Sequence, residues 1–96
     1  MAFPAAFIDE LVQRNSIEDV VGQYVSLRRA GSNLFGLCPF HGEKTASFSV
    51  APDKGIYYCF GCHKGGGVIT FQMEIEGLSY PDAVRALAKR VGMQVP

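Results

Sequence analysis

Apolar positions along the chain change period several times. Phe7, Ile8, Leu11 and Val12 recur on one face at helical spacing, so the chain opens on a helix. Ser16 with Asp19 three residues on reads as a second helix start, and Ile17, Val20 and Val21 line that helix's inner face. From Tyr24 the period drops to two. Val25 and Leu27 alternate with Ser26 and Arg28, which predicts a strand with one wet face; "RRAGSN" supplies a turn and "LFGL" returns as a second strand. A strand over Ala46–Val50, the turn "APDKG" and a strand over Ile56–Phe60 follow, and "KGGG" ends the run. Helical spacing then resumes. Val68, Phe71 and Ile75 form a stripe that Gly77 stops, and Ser79 with Asp82 opens a last helix. There Val84, Leu87, Ala88 and Val91 face inward and Gly92 closes.

This pattern predicts an α+β fold over residues 1–96: a helical lead-in at 1–24, a small antiparallel ribbon at 25–63, and helices at 67–92. Ninety-six residues suit one domain, near the size at which an extra staple helps the core. No repeat, low-complexity tract or linker interrupts it.

Composition narrows the setting. With 48% apolar residues and no run of eighteen, the chain is that of a globular protein with no membrane partner. The start "MAFPAAFIDELVQ" lacks a basic opening and is interrupted by Asp9 and Glu10, so it does not read as a secretion signal. A cytoplasmic address is the expectation, and in a reducing compartment three cysteines at close spacing argue for metal rather than disulfide.

Charge is neutral in total but unevenly placed. Residues 1–27 carry Arg14 against Asp9, Glu10, Glu18 and Asp19, a net of −3. Residues 28–64 carry Arg28, Arg29, Lys44, Lys54 and Lys64 against Glu43 and Asp53, a net of +3, and residues 65–96 balance. The basic segment is also the one that holds the cysteines. A modestly basic surface there suits weak contact with nucleic acid.

The chemistry lies in two turns. Cys38-x-x-His41 and Cys59-x-x-Cys62 are separated by seventeen residues, and a two-residue gap lets both ligands of a turn face one ion. Pro39 and Gly61 suit such turns. Four protein ligands leave no coordination position for water, so the expected site is one structural Zn²⁺, which with three thiolates sums to −1. Two catalytic or redox readings fit less well. His41-Gly42-Glu43 with Cys59-x-x-Cys62 echoes the zinc deaminase pattern, but Tyr58 stands where that pattern has proline, and Cys38 adds a ligand that would displace the catalytic water. "CFGCH" matches a c-type haem attachment, which needs export and leaves Cys38 and His41 unexplained. His63 reads as a solvated histidine.

Period-two alternation sorts the ribbon. Phe48 and Val50 share one face, with Thr45, Ser47 and Ser49 on the other; Tyr58 and Phe60 share a face, and Tyr57 goes with Cys59. Aromatic rings beside Arg28, Arg29, Lys44 and Lys54 are what single-stranded nucleic acid needs: platforms for bases and cations for phosphates. Set against this, Phe48 reads more readily as core, and surface arginines are commonly just solvated.

"CPFHGEKTASFSV" followed by "YYCFGC", a glycine-rich turn and a helix centred on Phe71 closely resembles the N-terminal zinc-binding domain of bacterial DNA primases. The likeness extends over nearly the whole chain, through "LRRAGSN" and "LSYPDAVRALAKRVGMQV". Ala46 departs from the family's usual proline, Leu34 from an aromatic, Ser32 from a basic residue and Gly67 from a polar one; none is a metal ligand.

The resemblance implies a zinc ribbon that binds single-stranded DNA template and helps choose where an RNA primer begins at the replication fork. It implies a separate polymerase domain, where Mg²⁺ would serve nucleotidyl transfer, and contact with the replicative helicase through the parent protein. No acidic cluster in these residues suits catalytic magnesium, so the expectation is a piece of a primase without a catalytic site. The DNA-contact candidates are Arg28, Arg29, Lys44, Lys54, Tyr58 and Phe60. The competing expectations are an interaction module that docks on the polymerase domain without reading DNA, and a stand-alone zinc-ribbon protein.

Overall fold

The computed structural model describes residues 3–41 and 46–96. Two helices, α1 (Ala5–Arg14) and α2 (Ile17–Gly22), lead into five strands: β1 (Arg28–Ala30), β2 (Asn33–Gly36), β3 (Phe48–Ala51), β4 (Ile56–Cys59) and β5 (Gly65–Gly66). Helices α3 (Val68–Glu76) and α4 (Tyr80–Arg90) complete the chain. The strands form one antiparallel sheet in the order β1-β2-β3-β4-β5, so each strand pairs with its neighbours in sequence. This is the α+β ribbon that the pattern predicted.

Helix ends follow the predicted chemistry. The Ser79 hydroxyl accepts a hydrogen bond from the Asp82 amide at 3.3 Å, capping α4. Gly77 ends α3 in the left-handed region at φ 65°, and the Leu78 amide turns back to the Met73 carbonyl at 3.0 Å, a closure that a Cβ would penalise.

One face of the sheet and the helices share a core. Phe48, Val50, Tyr57 and Cys59 point inward and are buried with Leu11, Ile17, Val20 and Val21 of the lead-in and with Val68, Phe71, Val84 and Leu87 of the last helices. Phe71 is its aromatic centre, with ring centroids 5.3 Å from Tyr57, 5.7 Å from Phe40, 5.8 Å from Tyr24 and 6.3 Å from Phe48.

Several boundaries differ from expectation for local reasons. The first strand begins at Arg28, not Val25. Ala30 pairs with Asn33 across a two-residue turn in which Gly31 has φ 69°, so "RRA" becomes strand and only Gly31–Ser32 turns. Val25 is instead tied to the end of α2 by a hydrogen bond that its amide donates to the Val21 carbonyl at 3.0 Å. Strand β4 stops at Cys59, although the Phe60 amide still bonds the Ser47 carbonyl at 2.9 Å. Val12 is 40% exposed rather than inward, and Val91 is only half-buried. Strand β5 was not expected: its two glycines carry no side-chain pattern, and it pairs because a bare backbone can lie against Tyr58. A Cβ on Gly65 would come within 2.9 Å of the Tyr58 ring and 3.0 Å of the Tyr57 carbonyl.

Candidate metal centre and sheet face

Cys38 follows β2, His41 ends the turn after it, Cys59 closes β4 and Cys62 lies in the turn beyond. The antiparallel pairing of Gly36 with Phe48 and of Phe48 with Cys59 brings the two turns to the same end of the sheet. One ligand atom from each of the four residues falls within 4.8 Å of all the others. Cys38 Sγ and Cys62 Sγ are 3.8 Å apart, too far for a disulfide, for which sulfurs lie about 2.05 Å apart. A tetrahedral zinc site with arms of about 2.3 Å has S···S edges of about 3.8 Å. The donor set, three thiols and an imidazole, therefore suits Zn²⁺ in kind and in spacing.

Each turn folds back on its first ligand. The Phe40 amide points at Cys38 Sγ at 3.4 Å, and the Gly61 and Cys62 amides point at Cys59 Sγ at 3.3 and 3.5 Å. Ser47 Oγ lies 3.7 Å from Cys59 Sγ. These contacts separate the thiols. Burial pushes Cys38 up, against the pull of the Phe40 amide. Burial also opposes the Cys59 thiolate, but the Cys62 amide, the Ser47 hydroxyl and the Gly61 amide outweigh it and bring that thiol down. Phe40, between Cys38 and His41, packs on Phe48, Tyr57 and Phe71, which ties the first turn to the core. Lys64 Nζ bonds Glu74 Oε1 at 2.8 Å and sits 5.8 Å from the Phe40 ring centre, closing the site's rim.

The opposite sheet face is uncovered. The pairing places Arg28, Phe35, Ser49 and Tyr58 in one row across it. A second row runs through Ser47 to Phe60, which is 64% exposed, and Leu37 beside them is 51% exposed. The Tyr58 and Phe60 rings meet edge to face at 5.0 Å and 74°. Tyr58 Oη lies 2.8 Å from His63 Nδ1.

The structure thus brings Arg28, Tyr58 and Phe60 to one face, but not the other candidates. Arg29, one residue on from Arg28, pairs in the row of Leu34, Val50 and Tyr57 and so belongs to the opposite side. Lys54 sits in the β3–β4 turn, beside a groove also lined by Val12, Ser16 and Glu18, away from the rings. Lys44 lies outside the described residues, as does Thr45. Phe35 and Leu37 join the face without having been picked out, and His63, read as solvated, meets it through Tyr58. Alternation within "LFGL" sets Phe35 apart from Leu34, but only the inter-strand register shows that it lies in the row of Tyr58.

Comparison with known proteins agrees with this geometry. Residues 3–96 match the model of the family described as CHC2 zinc finger. The DNA primase of Halalkalibacterium halodurans is 50% identical over 93 residues, which cover 97% of this chain and 16% of that protein. The DNA primase of Enterococcus faecalis is 53% identical over 85 residues, 88% of this chain and 14% of that one. A crystal structure of the Aquifex aeolicus primase, with zinc binding and RNA polymerase domains, superposes with a TM-score of 0.88 at 43% identity, covering 100% of this chain and 23% of that one. The chain spans about one-seventh of the length of the curated primases it matches. Among the described residues no helix is long and apolar enough to cross a membrane.

Proposed function

The chain belongs to the CHC2 zinc-finger family and corresponds to the zinc-binding domain of DNA primases, and from that premise we propose that it binds the single-stranded template and helps select where an RNA primer starts. In this reading Cys38, His41, Cys59 and Cys62 hold one structural Zn²⁺, which supplies a rigid cross-link between the two turns and no chemistry of its own. Nucleotidyl transfer, with its Mg²⁺, belongs to a polymerase domain. Partners are the template, that polymerase domain and the replicative helicase, in the cytoplasm at the fork.

The observation that carries the reading is the uncovered sheet face, where Phe60 is 64% exposed against Tyr58 and Arg28 lies in the Tyr58 row. An aromatic ring this exposed costs the monomer apolar surface and repays it when a base stacks, a contact worth about 1–3 kcal/mol. Arg28 is positioned to follow the phosphates. Binding of a labelled single-stranded oligonucleotide to the zinc-loaded chain, read by fluorescence anisotropy, tests this. Phe60→Ala should weaken binding by about 1–3 kcal/mol, and Arg28→Ser should lower the salt slope by about one. Equal binding by both variants and the parent refutes the reading.

One observation favours a second reading. Leu37 and Ile56 are 51% and 42% exposed on or beside the same face, and aliphatic side chains do not stack bases. They suit docking against the polymerase domain. Leu37→Ser would then reduce primer synthesis while leaving oligonucleotide binding intact.

A further inference from the structure

His63 is the one non-glycine residue with positive φ among the described residues, at 64°. That left-handed region is uncommon for residues with a Cβ, though histidine enters it more readily than most. Two backbone bonds enforce it: the His63 amide to the Cys59 carbonyl at 2.8 Å, and the Cys59 amide to the Lys64 carbonyl at 2.9 Å. Glycine would satisfy that turn without strain, so the turn itself does not require histidine.

The imidazole is spent on the exposed face. Nδ1 meets Tyr58 Oη at 2.8 Å, and the two rings are 6.1 Å apart. Tyr58 in turn stands at 74° to Phe60, with centroids 5.0 Å apart. Tyr58 is therefore a wall beside the Phe60 platform, buttressed by His63 on one side and lying against Gly65. A neutral imidazole has one donor and one acceptor nitrogen. Nδ1 is engaged by Tyr58 Oη whichever of the two donates, which leaves Nε2 as the ring's other hydrogen-bonding atom on an exposed residue.

Resting on the template-binding reading above, we propose that His63 is a base-reading residue. A base stacked on Phe60 presents an edge to the Tyr58–His63 pair, and His63 Nε2 makes a hydrogen bond to a polar group on that edge. Stacking tolerates every base, whereas a hydrogen-bonding atom fixed in place does not. The hydrogen bond between the tyrosine hydroxyl and Nδ1 holds the imidazole in one orientation, so Tyr58 acts as a positioning residue.

The test uses the zinc-loaded full chain with short thymidine, cytidine and adenosine homopolymers, compared by anisotropy at low salt, for the parent, His63→Gly and Tyr58→Phe. The parent should rank the three. His63→Gly should melt no lower than the parent, because the left-handed strain is gone, and should bind the favoured homopolymer about two- to tenfold more weakly, levelling the ranking. Tyr58→Phe, which keeps the ring, should blunt the ranking in the same direction. A His63→Gly chain that keeps the ranking, or one that loses affinity equally for all three, overturns the inference. A parent that binds all three alike overturns it while template binding stands. A parent that binds none overturns both.

Discussion

Replacing Phe71 with alanine tests whether the metal turns depend on the core or only on their own hydrogen bonds. Phe71 is fully buried and touches four aromatic rings, one of them Phe40, which sits between Cys38 and His41. A Phe→Ala change at such a site costs about 3–5 kcal/mol, transfer and cavity terms together. A chain of this length holds roughly 5–15 kcal/mol in total, so the loss is about a fifth of it or more. For a urea slope near 2 kcal/mol/M, a loss of about 4 kcal/mol lowers the midpoint by about 2 M. Circular dichroism of the zinc-loaded chain reads that shift, and competition with a chromogenic chelator reads zinc affinity. Both should fall, because a Phe40 ring with a void beneath it no longer holds its turn in place. A midpoint that drops while zinc affinity stays constant refutes the coupling. A midpoint shift below about 0.5 M refutes the packing estimate itself.

Removing zinc with a chelator should abolish the circular dichroism of the ribbon together with oligonucleotide binding, since a structural site contributes folding energy directly; a folded, binding-competent apo chain would contradict it. Asn15→Ala should cost about 1–3 kcal/mol in thermal unfolding, because the buried amide of Asn15 donates to the Leu11 and Leu87 carbonyls and its oxygen accepts from Arg90. The hydrogen bond to Glu76, with burial adding to it, raises the Tyr24 pKa. A raised tyrosine pKa contributes stability that is whole below the unfolded value of about 10 and is lost as pH rises through the folded one. Tyr24→Phe should therefore show a shallower loss of melting temperature above that pH than the parent.

Much of this was legible because it is written in local spacing. The gaps Cys38–His41 and Cys59–Cys62, the Ser79 cap and the Gly77 stop each depend on residues within one turn of each other. The grouping of Phe48 with Val50 and of Tyr57 with Cys59 followed from alternation, although only the fold shows that both pairs face inward. What stayed hidden depends on register between strands. Arg28 and Arg29 are adjacent letters, and only the tight Gly31–Ser32 turn, which pairs Ala30 with Asn33, fixes which of them shares a face with Tyr58. Two glycines give no pattern by which to foresee β5. Asn15 looks like an ordinary helix end, yet it is 1% exposed, and two of its side-chain partners lie 72 and 75 residues away. The left-handed turn at His63 is set by backbone bonds that no residue type announces.

The two rims of the sheet are finished in different ways, and this bears on how the protein stays dispersed. At one rim β5 is two residues long and is followed after one glycine by α3, with Thr70 against Gly66. At the other rim β1 is exposed at all three positions and, among the described residues, pairs with a strand on one side only, which leaves an edge of backbone donors and acceptors. Such a rim is a template for another chain's strand, and natural sheets blunt it with charge. Arg28 and Arg29 put a cation on each side of it, so a second copy approaching in register would bring like charges together from above and below. Arg29, on the side away from the rings, carries half of that charge, and neutralising it should leave the edge less guarded against a second copy.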